Sequence, residues 1–554
     1  MESMKQINQK KWLAAGIAFL LPICSSCSEP TIQKTNNVQE EPLTVTSLPT
    51  DAYRSYYEIF PYSFADSNGD GIGDLNGITE VLDYINDGDA ATKDDLGMTG
   101  IWLTPIMPAV SYHKYDVTDY MNVDPQFGTM NDFDNLVTAS HQRGIRVILD
   151  LVLNHTSDEH PWFQQAASYL RSIGDQEPSS VDCPYVDYYH FSKENKDGYH
   201  LLSGTDWYYE SRFWEGMPDL NLDSDAVWQQ IDTLTSFWLS HGVDGFRLDA
   251  AKEYYTGSDT QNIQALTRLN TLVKGKKKDA YIVAEVWMNR DSYAKYYSSG
   301  IDSVFDFAFA NSDGNIASLV KGSINASQYT KALLSEEEMY AANNPSYINA
   351  PFYTNHDMGR GAGYYSGVNA AAMEKFALAM NQLQGGASFT YYGEELGMKG
   401  SGKDENKRAP MDWGDGTYQK LTCKGPQNMD AGIEMINGSL SQQETDDTSI
   451  YQYYKKVIDI RNQLPVIARG KTAWIEQENS AVGILTKKTE QDSVCIVFNP
   501  TDQEQTVSKE AVLKGAKSDA DLNKAVDLLL TDSDAVRMEG DHLILPAYSI
   551  VLYQ

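Results

Sequence analysis

The chain has 554 residues, 42% of them hydrophobic and 22% charged, with 44 basic against 77 acidic side chains and a formal net charge of −33. That length is too great for one ordinary domain and suits a large barrel with satellites, and the composition excludes a disordered or fibrous chain. The negative field repels nucleic acid and anionic lipid and leaves a neutral polymer free to approach.

At the start, Lys5, Lys10 and Lys11 precede an apolar run over 12–23 that is short for a membrane span, followed by Cys24-Ser-Ser-Cys27. Residues 1–27 therefore predict a lipoprotein-type signal. Cys27 is the expected acylation site, because Ser26 supplies the small residue before it. Residues 28–50 are polar, Pro-containing and unpatterned, which predicts a flexible tether. Cys183, Cys423 and Cys495 are too widely spaced for a disulfide framework or a zinc pattern, and separate buried thiols are expected.

From about residue 53, short apolar runs alternate with helical patterns. Strands are predicted over 56–64, 100–106, 146–153, 245–250, 280–286, 303–309, 349–354 and 387–392. Helices are predicted over 132–143, 225–241, 260–274 and 370–383, among others. Eight such repeats are what an α/β fold of the (β/α)8 TIM-barrel type requires. The barrel is expected in two parts, 51–154 and 223–459. The stretch between them, 155–222, is too long for one crossover and rich in Tyr, Ser, Asp and Gly, so it predicts a small inserted domain after strand 3. Over 460–554 the pattern changes to short alternating runs at 481–486, 493–498, 542–545 and 550–553. These predict a C-terminal antiparallel β-sandwich.

After the first strand comes Asp66-Ser-Asn68-Gly-Asp70-Gly-Ile72-Gly-Asp74. Oxygen-bearing residues at every second position, with glycines for tight turns, follow the ligand rhythm of an EF-hand loop. The acid expected at position twelve is Gly77. The segment therefore predicts a free-standing hard-cation loop, with Asp66, Asn68, Asp70, the Ile72 carbonyl and Asp74 as ligands. Ca2+ is the expected ion, Mg2+ the next, and its role structural.

Three acids sit at the ends of strand-like runs. Asp249 follows Gly245-Phe-Arg247-Leu, Glu285 follows Tyr-Ile-Val-Ala, and Asp357 closes Asn355-His356-Asp357. Side chains two apart on a strand share a face, so Arg247 and Asp249 point together into the barrel, where the guanidinium favours an ionised carboxylate. An ionised, oriented carboxylate suits a nucleophile at an anomeric carbon. Glu285, with apolar neighbours and another acid nearby, resists ionisation and suits a proton donor. His155 and His356 can donate hydrogen bonds to sugar hydroxyls, and no zinc spacing accompanies them.

Taken in order, Asp150…Asn154-His155, Gly245-Phe-Arg247-Leu-Asp249, Glu285 and Asn355-His356-Asp357 resemble the four signature segments of glycoside hydrolase family 13, the α-amylase family. Met217-Pro-Asp219-Leu-Asn221, Gly100-Ile-Trp-Leu-Thr-Pro105 and Gly393-Glu-Glu-Leu-Gly-Met398 match three more, so the likeness runs from about residue 53 to 554. The resemblance implies Asp249 as nucleophile, Glu285 as general acid/base, Asp357 as transition-state stabiliser, and retention of the α-configuration. It implies that Tyr115 stacks under the sugar being cleaved and that Lys252 binds sugar on the leaving-group side, with His155, Arg247 and His356 completing the substrate-binding set. His113 stands where exo-acting α-glucosidases carry an Asp, and Ala250 follows the nucleophile where strict α-1,6 enzymes tend to carry Val. Asp74-Leu-Asn-Gly77, His155-Thr-Ser-Asp-Glu-His160 and Arg408-Ala-Pro-Met-Asp-Trp413 resemble oligo-1,6-glucosidases instead, and Met217-Pro-Asp-Leu-Asn221 resembles maltogenic and pullulan-cleaving enzymes.

The chain thus looks intermediate between oligo-1,6-glucosidases and neopullulanases. The expected activity is endo-hydrolysis of α-1,4 bonds in starch, glycogen, maltooligosaccharides and pullulan. The alternatives are an α-glucosidase, an oligo-1,6-glucosidase or a neopullulanase, and, from another class, a non-catalytic surface glucan-binding protein. The expected partner is an α-glucan, with membrane contact only through the lipid anchor. Together with the signal this points to an outer-membrane lipoprotein at the cell surface, or on the periplasmic face, beside a glycan-import complex.

Overall fold

A computed structural model describes residues 36–43, 47, 49–432, 435–517, 519–532 and 534–554; the predicted signal and Cys27 lie outside them. Seven parallel strands form the main sheet: β1 (Ser55–Ile59), β2 (Gly100–Leu103), β3 (Arg146–Leu151), β4 (Gly245–Leu248), β5 (Tyr281–Ala284), β6 (Ser303–Val304) and β7 (Ser388–Tyr391). Their order is β6-β5-β4-β3-β2-β1-β7. Parallel bridges Phe305↔Ala350 and Phe352↔Phe389 carry the chain between β6 and β7, so residues 350–352 complete a TIM barrel.

The barrel interior is packed with rings. Tyr56 stacks between Tyr281 and Phe389 at 5.2 and 4.9 Å, and Trp102, Phe305 and Phe352 fill the layer around them. Gly100 is required here, because a Cβ at that position would stand 2.4 Å from the Tyr56 ring. Several strands are shorter than their apolar runs. β1 stops before Pro61, which opens the helix Pro61–Phe64. The run at 303–309 keeps only two strand residues and one bridge before it turns.

After β3 the chain leaves the barrel. It forms the helix Pro161–Ile173 and a three-stranded antiparallel sheet of Phe191–Ser192, Tyr208–Glu210 and Tyr199–Leu201. It returns at the barrel mouth, where His155 bridges Asp219 and the Leu220 N–H donates to the Asn154 carbonyl at 2.8 Å. The C-terminal part faces a five-stranded antiparallel sheet, built on Gly483–Lys488, Ser493–Asn499 and Ser549–Tyr553, with a second sheet of four strands. Ile484, Val497, Leu543 and Val551 are buried between them.

The second sheet corrects the expected tether. Asn36–Asn37 pairs with Arg537–Met538, and Gln39–Glu40 pairs with Lys524–Ala525. Val38 is buried in the C-terminal core. Glu40 and Glu41 meet Lys456 and Lys524. These residues have no alternation long enough to read as a strand, yet the open edges of the C-terminal sheets supply their backbone partners. Cys183, Cys423 and Cys495 are free and buried. Among the described residues no helix is long and apolar enough to cross a membrane.

Candidate active site

Arg247 organises the barrel mouth. It is fully buried, and its Nη1 donates to Asp150 Oδ1 and Oδ2 at 2.8 and 3.0 Å and to Asp249 Oδ1 at 2.8 Å. Nη2 donates to Glu285 Oε2 at 2.8 Å, which also accepts the Ala250 N–H at 3.0 Å. Ala250 holds φ +44°, a left-handed conformation that a non-glycine residue adopts at a cost. That turn aims its N–H at Glu285.

A second cluster surrounds Asp357. Its Oδ1 accepts from Arg408 Nη2 at 2.8 Å, and its Oδ2 lies 3.2 Å from His356 Nε2. His356 Nδ1 lies 2.6 Å from Glu58 Oε1, and Nε2 lies 2.8 Å from the Tyr115 hydroxyl, which donates to Asp150 Oδ2 at 2.9 Å. The two clusters therefore meet through Tyr115.

Five acids (Glu58, Asp150, Asp249, Glu285 and Asp357) thus face two guanidinium groups and one imidazole. So many like charges, most of them buried, favour keeping protons on some of the acids. For Asp357, burial opposes ionisation, but His356, Arg408 and Arg247 together hold it far below the usual carboxylate range. Burial pushes Asp249 up, and Asp357 adds to the rise against the pull of Arg247. This differs from the expectation that Arg247 simply ionises Asp249: the guanidinium is shared with Asp150 and Glu285. Glu285 is likewise raised, by burial first and then by Asp249 and Asp357, which suits a proton donor. Asp150 is pushed up to about 7 by burial.

Tyr115, His155, Asp249, Lys252, Glu285 and Asp357 line one cleft of about 580 Å³. His155 is held neutral by burial, down to about 4, and its buried Nε2 has no hydrogen-bond partner among the described residues. Lys252 is half-buried and pairs with Glu253 at 3.1 Å. Arg247 and His356, expected to touch substrate, have no exposed surface and stand behind the acids. Their polar contacts in the site go to carboxylates and to the Tyr115 hydroxyl. Glu58 and Arg408 escaped the sequence reading as site residues. Arg408 lay in a noticed segment, but its contact with Asp357 spans 51 residues and nothing local signals it. The exposed rings of Phe213 and Trp287 also line the cleft and offer faces for sugar rings.

The 66–74 loop is folded by its own side-chain oxygens. Asp66, Asn68 and Asp70 each accept a backbone N–H two residues on, at 2.7 to 3.1 Å, which folds the loop inward. Asp74 spends its oxygens on the Gly77 N–H and on Ser67. Among the described residues no group of three or more His, Cys, Asp or Glu converges as a metal site.

A model of the α-amylase catalytic domain matches residues 58–470. The chain belongs to the α-amylase family of glycoside hydrolases. A solved structure titled Eubacterium rectale Amy13B superposes with a TM-score of 0.85 at 48% identity, covering 93% of this chain and 96% of that one. Alpha-amylase 3 of Dictyoglomus thermophilum is 38% identical over 461 residues, 81% of this chain and 85% of its own. An oligo-1,6-glucosidase of Heyndrickxia coagulans is 27% identical, covering 82% and 92%. The protein is thus a glycoside hydrolase acting on α-glucans.

Proposed function

We propose that this α-amylase-family enzyme cleaves internal α-1,4 bonds of starch, glycogen, maltooligosaccharides and pullulan, with retention of configuration. The observation that carries this is the sharing of Arg247 by Asp249 and Glu285, on its two terminal nitrogens, with both acids facing one cleft. Retaining enzymes hold their two carboxyl groups about 5 Å apart, whereas inverting ones leave room for a water between them. Asp249 attacks the anomeric carbon and Glu285 passes its proton to the departing glycosidic oxygen. Glu285 then takes a proton from the water that releases the sugar from Asp249. Asp357, ionised between Arg408 and His356, stabilises the positive charge that builds on the sugar ring.

His113 lines the cleft in place of a chain-gripping acid, which supports internal attack. The oligo-1,6-glucosidase relative supports a second reading, α-1,6 cleavage by the same acids. A product profile on amylose, pullulan and isomaltose separates the two. Amylose should yield a ladder of maltooligosaccharides, and release of glucose alone from chain ends would overturn internal attack. We further propose Ca2+ in the 66–74 loop as a structural ion; a chelator should lower Tm, with Ca2+ restoring it. Anchoring through Cys27 at the outer membrane completes the proposal, and loss of fatty-acid labelling in Cys27→Ala checks it.

A further inference from the structure

Donor and acceptor counting around His356 singles out a residue that no signature segment contains. The Tyr115 hydroxyl has one proton, and Asp150 Oδ2, 2.9 Å away, accepts it as it does those of Trp102 Nε1 and Arg247 Nη1, so a proton kept by Asp150 sits on Oδ1. The Tyr115 oxygen, 2.8 Å from His356 Nε2, must then accept, so Nε2 carries a hydrogen. Asp357 Oδ2, 3.2 Å from the same nitrogen, makes the same demand. The charge of His356 is therefore decided at Nδ1. The partner there is Glu58, from β1, whose Oε1 lies 2.6 Å from Nδ1 and also accepts the His356 backbone N–H at 3.4 Å. Both side chains are buried.

We propose that Glu58 is a positioning residue for glucan hydrolysis: through Nδ1 its carboxylate fixes the His356 ring as a cation, and that cation holds Asp357 ionised and Tyr115 in register.

One proton lies between Glu58 and His356, and two effects compete for it. Burial pushes Glu58 up, which would put the proton on the carboxyl group. Burial also disfavours the imidazolium, but Asp357 and Glu58 together push His356 up to about 10. The second effect wins, because His356 has an acid on each side whereas, among the described residues, Glu58 faces only the one imidazole at hydrogen-bond distance. The remaining neighbours do not reverse this. Arg408 meets His356 at its carbonyl oxygen, 3.2 Å away, and is already paired with Asp357. Trp102 presents its ring at a steep angle, and the Tyr115 ring stacks on the imidazole at 5.4 Å. Arg247 opposes the proton on Glu58, and His113 opposes the charge on His356 only weakly, being held neutral by burial down to about 4.

Glu58→Gln tests this, because the amide keeps the size and an acceptor oxygen for Nδ1–H but removes the charge. The inference rests on the catalytic roles proposed above, so the readouts include one that does not depend on them. In the full chain with 15N-labelled histidine, the His356 signal, assigned by its loss in His356→Gln, should show both ring nitrogens protonated at pH 7. In Glu58→Gln it should show one. Hydrolysis of any accepted α-glucan should fall about tenfold to a hundredfold in kcat with KM little changed, the range that loss of an outer partner costs where it orients a metal-binding histidine. A merely structural Glu58 would lower Tm and the active fraction while leaving the His356 signal cationic. A neutral His356 in the parent at pH 7 overturns the proposal whether or not the variant folds. So does a Glu58→Gln enzyme with parental kcat.

Discussion

The two ends of the barrel use the same residue types to opposite ends. At the floor, Asp244, just before β4, is surrounded by His141 Nε2 at 2.7 Å, Arg146 Nη1 at 2.9 Å, Lys277 Nζ at 2.7 Å and the Val147 N–H at 2.9 Å. Burial alone would raise its pKa, but His141, Lys277 and Val147 hold it well below the usual carboxylate range. At the mouth, Asp150, Asp249 and Glu285 share one guanidinium, and burial keeps all three above their ordinary range. Many donors around one acid lock a charge and stabilise the fold. Many acids around one cation leave protons able to move, which destabilises the site and makes it reactive. TIM barrels place chemistry at the C-terminal face and stability at the other, and this chain shows the electrostatics behind that division.

The largest effect expected from this contrast is at Asp249. Asp249→Asn should lower hydrolysis by about four orders of magnitude or more, as loss of a nucleophile does elsewhere. Its Tm should stay level or rise, because one acid fewer competes for Arg247. A variant that hydrolyses at the parental rate would remove Asp249 from the nucleophile's role. A large fall in Tm would break the claim that the mouth is over-supplied with acid.

Asp244→Asn should do the reverse. An amide cannot serve all of Asp244's donors, and the charges of Arg146 and Lys277 lose their partner. Both side chains are partly exposed, 38% and 24%, so water recovers some of the cost and about 1–2 kcal/mol is expected. Thermal melts should show a drop of a few degrees, with kcat per folded molecule unchanged. Asp244 has a depressed pKa, so its stabilisation is present above the unfolded value of about 3.9 and is lost as pH falls through its folded value. The gap between parent and variant should therefore close in acid. A gap that is constant down to low pH would show that shape, and not charge, is what Asp244 supplies.

The sequence carried the barrel and the three acids because both are local signals. An apolar run marks a strand and its last polar residue marks the mouth, as with Asp249 after Gly-Phe-Arg-Leu. It overstated strand length where backbone chemistry intervened, as at Pro61, and it read the polar stretch at 36–41 as tether because an edge partner 480 or more residues away leaves no local trace. The supporting network was illegible for the same reason. Glu58 and His356 are 298 residues apart, and Arg247 and Asp150 are 97 apart. Alternation correctly put Arg247 beside Asp249, but it could not show that two further acids claim the same guanidinium. Burial, with Asp357 beside it, is what reverses the expected shift at Asp249.

The smallest effect is the sharpest test of the contrast, since it turns on sign alone. Asp150, pushed up to about 7 by burial, keeps a proton in the folded state that the unfolded chain surrenders near pH 4. Its contribution is fully present below the unfolded value and is lost as pH rises toward about 7, opposite in direction to that of Asp244. Asp150→Asn removes the titration while keeping an oxygen for Arg247. Between pH 4 and 7 the parent's Tm should therefore decline relative to the variant's by a few degrees, whereas Asp244→Asn should show its change only below that window. Parallel curves for parent and Asp150→Asn across pH 4–7 would mean that Asp150 is ionised throughout. The spare protons at the mouth would then have to reside on Asp249 and Glu285 alone.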